Sequence, residues 1–367
     1  MVSLARRNLF HERTRLAISV LGVGFAILLI SLLGATYAGF ERATGLYIDH
    51  LGGDLVVLQE GARDLFHSFS ILPQNLSVRL EGVDGVRSAE ALLSRQTEGH
   101  AEGGDFRLAM VGFDVSGGPW KLAEGRAKPG PGEIVLDRVL AVKRGLSLNE
   151  EIHLLGRTFR IVGISEETNL FILQYAFIDR AEAEGLLLPP GMASFFVVRV
   201  EEGVSPTAAA EAIEAEIPGV SALTLDEFRD NNTQVVGEAF APILIVLYGT
   251  GFLVGMMVVG QTIYAATLEK MREFAILKAI GARGRTLFSV LLQQSLLSSL
   301  LGFLAGVGFT AFLAVLIREL VPAMPLFFQP SQFLGLFLAA VGMSVAASYM
   351  PLRRILKVDP ATVFRRG

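Results

Sequence analysis

The residues best equipped for chemistry lie in one short run, Thr267-Leu268-Glu269-Lys270-Met271-Arg272-Glu273-Phe274-Ala275-Ile276-Leu277-Lys278-Ala279-Ile280-Gly281-Ala282. It opens with charges of both signs, turns apolar from Phe274 to Ile280 and stops at Gly281, a residue suited to the left-handed conformation that ends helices. The chemistry this allows is recognition rather than bond-making. A short helix exposing Leu268, Met271, Phe274 and Leu277 on a charged background suits a groove on a soluble partner. The same run also suits a helix lying at lipid headgroups.

Catalytic chemistry has little to stand on. The five His (His11, His50, His67, His100, His153) have no metal-ligand spacing, and the chain has no Cys. Glu150-Glu151, Glu166-Glu167 and Glu201-Glu202 read as solvated turn edges, and Gly103-Gly104 and Gly117-Gly118 as turns. There is no G-x-S-x-G nucleophile turn. Phe171, Ile172, Leu173 and Tyr175 read as a buried strand, with a lipid-binding patch as the alternative. No enzymatic activity, catalytic residue, metal or bound cofactor is expected of this chain.

The elements that would hold the recognition run are mostly membrane spans. Leu16–Tyr37, Phe240–Ala266, Leu287–Ile317 and Phe333–Met350 each run for about 18 residues or more without Asp, Glu, Lys or Arg, enough to cross a hydrocarbon core of about 30 Å. The first, at about 22 residues, exceeds a signal-peptide core of 7–15 and is expected to stay as an anchor. Lys and Arg cluster before the first span (Arg6, Arg7, Arg13, Arg15), between the second and third (Lys270, Arg272, Lys278, Arg283, Arg285) and after the fourth (Arg353, Arg354, Lys357, Arg365, Arg366). The positive-inside rule then puts both termini and the recognition run in the cytoplasm, in an inner (plasma) membrane, and residues 38–239 outside. That outer part carries 17 Lys+Arg against 31 Asp+Glu, a balance of −14. An acidic exterior argues against nucleic acid as a partner.

The outer part reads as a large α/β domain. Gly53–Leu58, a helix around Asn75–Glu81 and a strand from Gly85-Val86 make one strand–helix–strand unit. Phe195–Val200, a helix opened by Ser205-Pro206 and filled by Ala208–Glu216, and a strand from Val220 make the other. Together they suggest a split sandwich. Glu133–Leu136, Ile152–Leu155 and Phe159–Ile164, separated by turns, suggest a β-rich subdomain inserted at about 98–178, with Asp179 and Glu182 as a capping box for a helix leading out.

Thr224 and Glu227 form a second capping box, flanked by Leu223 and Phe228 in the positions of a hydrophobic staple. A helix starting at Leu225 meets no strong stop before Ala266, about 42 residues or roughly 63 Å. Part of it must project outside as a stalk, with Gly237 and Pro242 as bend points. The resulting division is an entry helix at 1–15, spans at 16–38, 240–266, 287–317 and 333–350, the outer domain at 39–224 and the stalk at 225–239. The cytoplasmic run occupies 267–286, an outer loop 318–332 and a tail 351–367. Gly251-x-x-x-Gly255 and Gly302-x-x-x-Gly306 permit close helix approach, within one chain or across a dimer. No ionisable residue lies at depth in the spans, so movement of ions through them is not expected.

Glu269-Lys-Met-Arg-Glu-Phe-Ala-Ile-Leu-Lys-Ala-Ile-Gly-Ala282 resembles the coupling segment of FtsX/MacB-like ABC permeases, typically E-R-x-R-E-I-G-I-L-K-A-L-G-A. Weaker words follow in the family's order: Leu4-Ala-Arg-Arg-Asn-Leu9 with Arg13 and Arg15, Leu21-Gly22-Val23, Gly53-Asp54-Leu-Val-Val57, Pro131-Gly-Glu-Ile-Val135, Val162-Gly-Ile164 and Val358-Asp-Pro-Ala-Thr-Val-Phe-Arg365. The resemblance covers the whole chain and its one-plus-three span order. It implies an exporter permease that pairs with a second permease, as a homo- or heterodimer, and docks a cytoplasmic ABC ATPase whose ATP-driven stroke is relayed to the outer domains, by mechanotransmission. A periplasmic adaptor is a further partner of such complexes. Glu269, Arg272, Glu273, Ile276, Leu277, Lys278, Gly281 and Ala282 match the motif and inherit ATPase docking. Lys270-Met271 and Phe274-Ala275 depart from its commonest wording, so the partner surface differs there. No G-x-x-x-x-G-K-[ST] occurs, so ATP and Mg are expected in a separate ATPase chain. The implied cargo is hydrophobic or amphiphilic: a lipid, lipoprotein, peptide or drug. The alternative is signalling, in which the stroke activates an extracytoplasmic enzyme such as a cell-wall hydrolase. The length of the outer part favours export.

Overall fold

The computed structural model describes residues 13–65, 70–101, 104–169, 173–280, 282, 284–321 and 323–356. The entry segment to residue 12, Phe171, Ile172, Gly281 and the tail from Lys357 lie outside these. The described residues fall into two compact units. One holds those up to Ala38 with Phe240–Val321 and those from Leu326 on; the other is Gly39–Ala239 with Pro322–Pro325.

The chain enters on a 37-residue helix, α1 (Arg13–Asp49). In the second unit follow β1 (Leu55–Gln59), β2 (Leu72–Pro73), α2 (Leu76–Leu80), β3 (Val86–Ala101), β4 (Gly104–Phe113), β5 (Leu122–Gly125) and β6 (Glu133–Asp137). Then come α3 (Arg138–Arg144), β7 (Glu151–Leu154), β8 (Arg157–Ser165), β9 (Gln174–Asp179), α4 (Arg180–Ala183), β10 (Met192–Ala193), β11 (Phe195–Val200), α5 (Pro206–Glu216) and β12 (Val220–Thr224). One sheet runs in the order β12-β1-β11-β3-β4-β9-β6-β8-β5, with β7 against β3 and β8 and a small β10–β2 pair apart.

Strand alternation explains the layers. Leu55, Val57, Phe196 and Val198 face α2 and α5 in a core with Leu80 and Ile213. Their neighbours Val56, Leu58, Phe195 and Val197 face the opposite core with Tyr47, Phe177 and Phe228, as a period of two requires. The β-rich insert joins the sandwich without a break in the sheet. The 16-residue β3 pairs β11 along Val86–Leu92 and β4 along Leu93–Ala101. Leu173 and Tyr175 are buried.

Local chemistry starts the helices. Asp137 accepts from the Val139 N–H at 2.8 Å to cap α3, which Gly145 ends with φ 65°. Asp179 caps α4 through the Ala181 N–H at 2.9 Å. The expected return arm from Glu182 is a correction: Glu182 Oε2 instead accepts from the Gly132 N–H at 2.6 Å, and its carboxylate lies 3.7 Å from Arg157. A distant backbone donor in the Pro-Gly turn outcompetes the local one.

The 45-residue α6 (Leu225–Glu269) begins at Thr224, whose N–H donates to Glu227 at 2.9 Å while Thr224 Oγ1 accepts from the Glu227 N–H at 3.2 Å. Leu223 and Phe228 both join the core on that side of the sheet. The helix continues unbroken through Gly237 and Pro242. Arg229 of α6 lies 3.3 Å from Asp49 of α1 in the same unit, and Asn232, fully buried, accepts from the Leu65 N–H at 2.9 Å.

A nine-residue helix, α7 (Met271–Ala279), then leads to α8 (Gly284–Leu320) and α9 (Pro330–Leu356). Four of the described helices, α1, α6, α8 and α9, are long and apolar enough to cross a membrane. Serines stitch the last two: Ser295 Oγ donates to the Ser344 carbonyl at 2.9 Å, and Ser344 Oγ to the Ser295 carbonyl at 3.4 Å.

Candidate functional site

The recognition run forms the last residues of α6, the turn at Lys270, and α7 with the turn after it. The entry to α7 is a local unwinding at Lys270, with φ −95° and ψ 17°. Its exit is closed by the Ala282 N–H donating to the Leu277 carbonyl at 2.9 Å, the six-to-one bond of a Schellman closure. Gly281 itself lies outside the described residues.

The two faces of α7 differ sharply. Phe274 and Ala275 are 6% and 2% exposed. Phe274 packs in one cluster with Val23 and Ile27 of α1, Val259 and Ile263 of α6, Leu287 and Leu291 of α8, and Ala340 and Ala347 of α9; Leu277 and Ala282 border it. Arg272, Glu273, Ile276, Ala279 and Ile280 face outward, and Met271 and Lys278 are half-buried. Ile276 and Ile280 are 42% and 76% exposed, one turn apart. The expectation that Phe274 would face outward is therefore corrected, while Leu277 is half-buried. The helix turns its aromatic into the bundle and offers two isoleucines beside Arg272 and Glu273. Leu268, at the end of α6, is exposed.

Glu269 is also engaged within the chain. Arg15 Nη1 donates to Glu269 Oε2 at 2.7 Å while Arg15 Nη2 pairs with Oε1. Nothing local signals this pair, since the two residues are 254 positions apart.

The glycine motifs sit against helices of the same chain. A Cβ on Gly302 would lie 2.6 Å from Val23 Cβ, and one on Gly306 2.7 Å from the Gly24 carbonyl. On α6, a Cβ on Gly251 would meet Ile30 at 3.2 Å and one on Gly255 the Met343 sulfur at 2.6 Å. Gly24, where an added Cβ would lie 3.3 Å from the Gly302 carbonyl, was not singled out by sequence, although small residues spaced along the first span were the available signal.

Among the described residues no group of three or more His, Cys, Asp or Glu could hold a metal ion. Glu166 pairs with Arg138 and Lys121, which hold its carboxyl below the usual range. Glu150 accepts from the Ser147 N–H. These contacts are structural.

The described residues form four helices long and apolar enough to cross a membrane, a β-rich extracytoplasmic-type domain after the first of them and a short two-faced helix between the second and third. The MacB-like periplasmic core domain family matches residues 16–216 and the FtsX-like permease C-terminal family residues 234–360, and the chain belongs to this MacB/FtsX family of ABC transporter permeases. An uncharacterized ABC transporter permease of Mycobacterium tuberculosis (strain H37Rv) is 26% identical over 369 residues, 99% of each chain. The macrolide export ATP-binding/permease protein MacB 2 of Aeromonas hydrophila is 25% identical over 247 residues, 64% of this chain and 35% of that one. The periplasmic region of MacB from Actinobacillus actinomycetemcomitans is 15% identical, covering 49% of this chain and 92% of that one with a TM-score of 0.37.

Proposed function

We propose that this chain is the permease subunit of an ABC exporter and that a separate cytoplasmic ATPase, which binds the ATP and Mg, docks on the outward face of α7. Both termini and α7 then lie in the cytoplasm of a plasma-membrane complex, as the basic clusters favour. The permease acts in a pair with a second copy or a close homologue. ATP-driven closure of the ATPases moves α7, and α6 relays the stroke outward by mechanotransmission to act on a hydrophobic or amphiphilic substrate. The substrate class is supported by the uncharged spans and by a relative named for macrolide export.

The observation that carries this reading is the division of α7, with Phe274 anchored among four helices and Ile276 and Ile280 left outside beside Arg272 and Glu273. A helix that merely floated at headgroups would not need an aromatic anchored in the bundle. The test is a double substitution, Ile276→Asp with Ile280→Asp, in chain purified from its native membrane. The variant should insert as wild type does and lose the ATPase that co-purifies with wild type. Retention of the ATPase at wild-type stoichiometry would refute the docking face.

A further inference from the structure

The fork between Arg15 and Glu269 sits at a mechanical junction. Glu269 is the last residue of α6, and the next residue, Lys270, leaves helical geometry before α7 begins. Arg15 lies near the start of α1. Two parallel contacts from a planar guanidinium to both oxygens of one carboxylate fix orientation as well as distance. The pair is partly exposed, at 31% for the Arg15 side chain and 58% for Glu269, and exposed ion pairs add little to folding stability. Its value is therefore positional. On its inner face α7 contributes Phe274 to the same apolar cluster that holds Val23 and Ile27 of α1.

We propose that Arg15 is a positioning residue that makes the base of α1 follow the α6–α7 junction, so that displacement of α7 is delivered to two spanning helices rather than to α6 alone. This rests on the docking reading above. If α6 were the sole relay, the start of α1 would need only apolar contact with its neighbours. A two-point bridge to the residue at the hinge instead transmits rotation as well as push.

The absence of Cys from the chain allows clean labelling. Spin labels at Ile18→Cys on α1 and Gln261→Cys, about two turns before the end of α6, both at exposed positions, report the separation of the lower parts of the two helices. They are placed in full-length chain purified with its ATPase. With Arg15 intact the distance distribution should be narrow and the same with and without ATP. In Arg15→Gln it should broaden and shift on ATP addition while the ATPase still co-purifies. The charge swap Arg15→Glu with Glu269→Arg should restore the narrow, ATP-independent distribution. Identical distributions in Arg15→Gln and the parent, or a swap that restores nothing with the ATPase still bound, overturn the proposal. Loss of the ATPase from Arg15→Gln also overturns it, because Arg15 would then act in docking. The parent sample reports the docking reading separately: if it carries no ATPase, that reading fails, whereas bound ATPase with indifferent labels removes only the role of Arg15.

Discussion

Phe274 and Ile276 stand two positions apart on α7 and face opposite ways: Phe274 is 6% exposed in the four-helix cluster and Ile276 is 42% exposed. At 3.6 residues per turn two positions rotate a side chain by roughly 200°, so one helix can hold the bundle with one face and a partner with the other.

The two roles should separate on substitution. Phe274→Ala removes a buried aromatic and should cost about 3–5 kcal/mol of bundle stability, read as a lowered thermal midpoint in detergent. Ile276→Asp should leave that midpoint close to wild type and weaken ATPase capture. Equal midpoints for the two variants would show that α7 is not anchored through Phe274.

Gly302 and Val23 form a tight contact between α8 and α1. Gly302→Ala puts a methyl 2.6 Å from Val23 Cβ. Overpacking of this kind costs about 1–3 kcal/mol, more than the roughly 1 kcal/mol that Ala gains over Gly within a helix. Adding Val23→Gly, which removes that Cβ, should recover part of the loss, giving a double variant more stable than the sum of the singles predicts. Additive effects would place the strain elsewhere.

The stalk segment of α6 should tolerate softening without loss of docking. Val235→Gly with Val236→Gly, beside Gly237, costs roughly 1 kcal/mol at each position and leaves α7 untouched. ATP hydrolysis by the assembled complex should persist, while any ATP-dependent change in protease sensitivity of the 39–239 unit should disappear. A change that stays proportional to ATP turnover would reduce α6 to a tether.

Two buried carboxyls in the outer unit should respond to pH with opposite signs. The Gly130 N–H at 2.8 Å and then Arg160 at 2.7 Å hold the Glu133 carboxyl below the usual range, against the effect of burial. Its stabilisation is present above the unfolded value of about 4.3 and is lost as pH falls through the folded one. Burial raises the Asp137 carboxyl, with hydrogen bonds from Thr168 and Val139 opposing. Asp137 therefore favours the fold most below its unfolded value of about 3.9, and that contribution fades as pH rises through the folded one. In thermal midpoints across acidic pH, the deficit of Glu133→Gln should shrink as pH falls and that of Asp137→Asn should grow. Parallel curves for both variants would refute these assignments.

Features that depend on near neighbours were legible in the chain. Thr224 and Glu227 cap each other three residues apart, β11 occupies the Phe195–Val200 run, and four stretches without charge become four long helices. A hydrogen-bonding partner within one turn, or an apolar period of two, needs no knowledge of the rest of the molecule. Glu182 shows the limit: it has the spacing of a capping partner for Asp179, but the Gly132 N–H, 50 positions away, takes its carboxylate.

By itself the sequence determined the four long apolar helices, the α/β character of the 39–239 unit and the place of α7, because each follows from local composition and period. The tertiary structure decided which face of that helix turns inward. Phe274 with Leu277 and Ile276 with Ile280 are both apolar sets at helical spacing, so periodicity alone cannot choose between them. The choice falls to the shape of the cavity that α1, α6, α8 and α9 leave, and an aromatic fills it. The same holds for Glu269, whose partner Arg15 is brought within reach only when the first and second spans lie side by side.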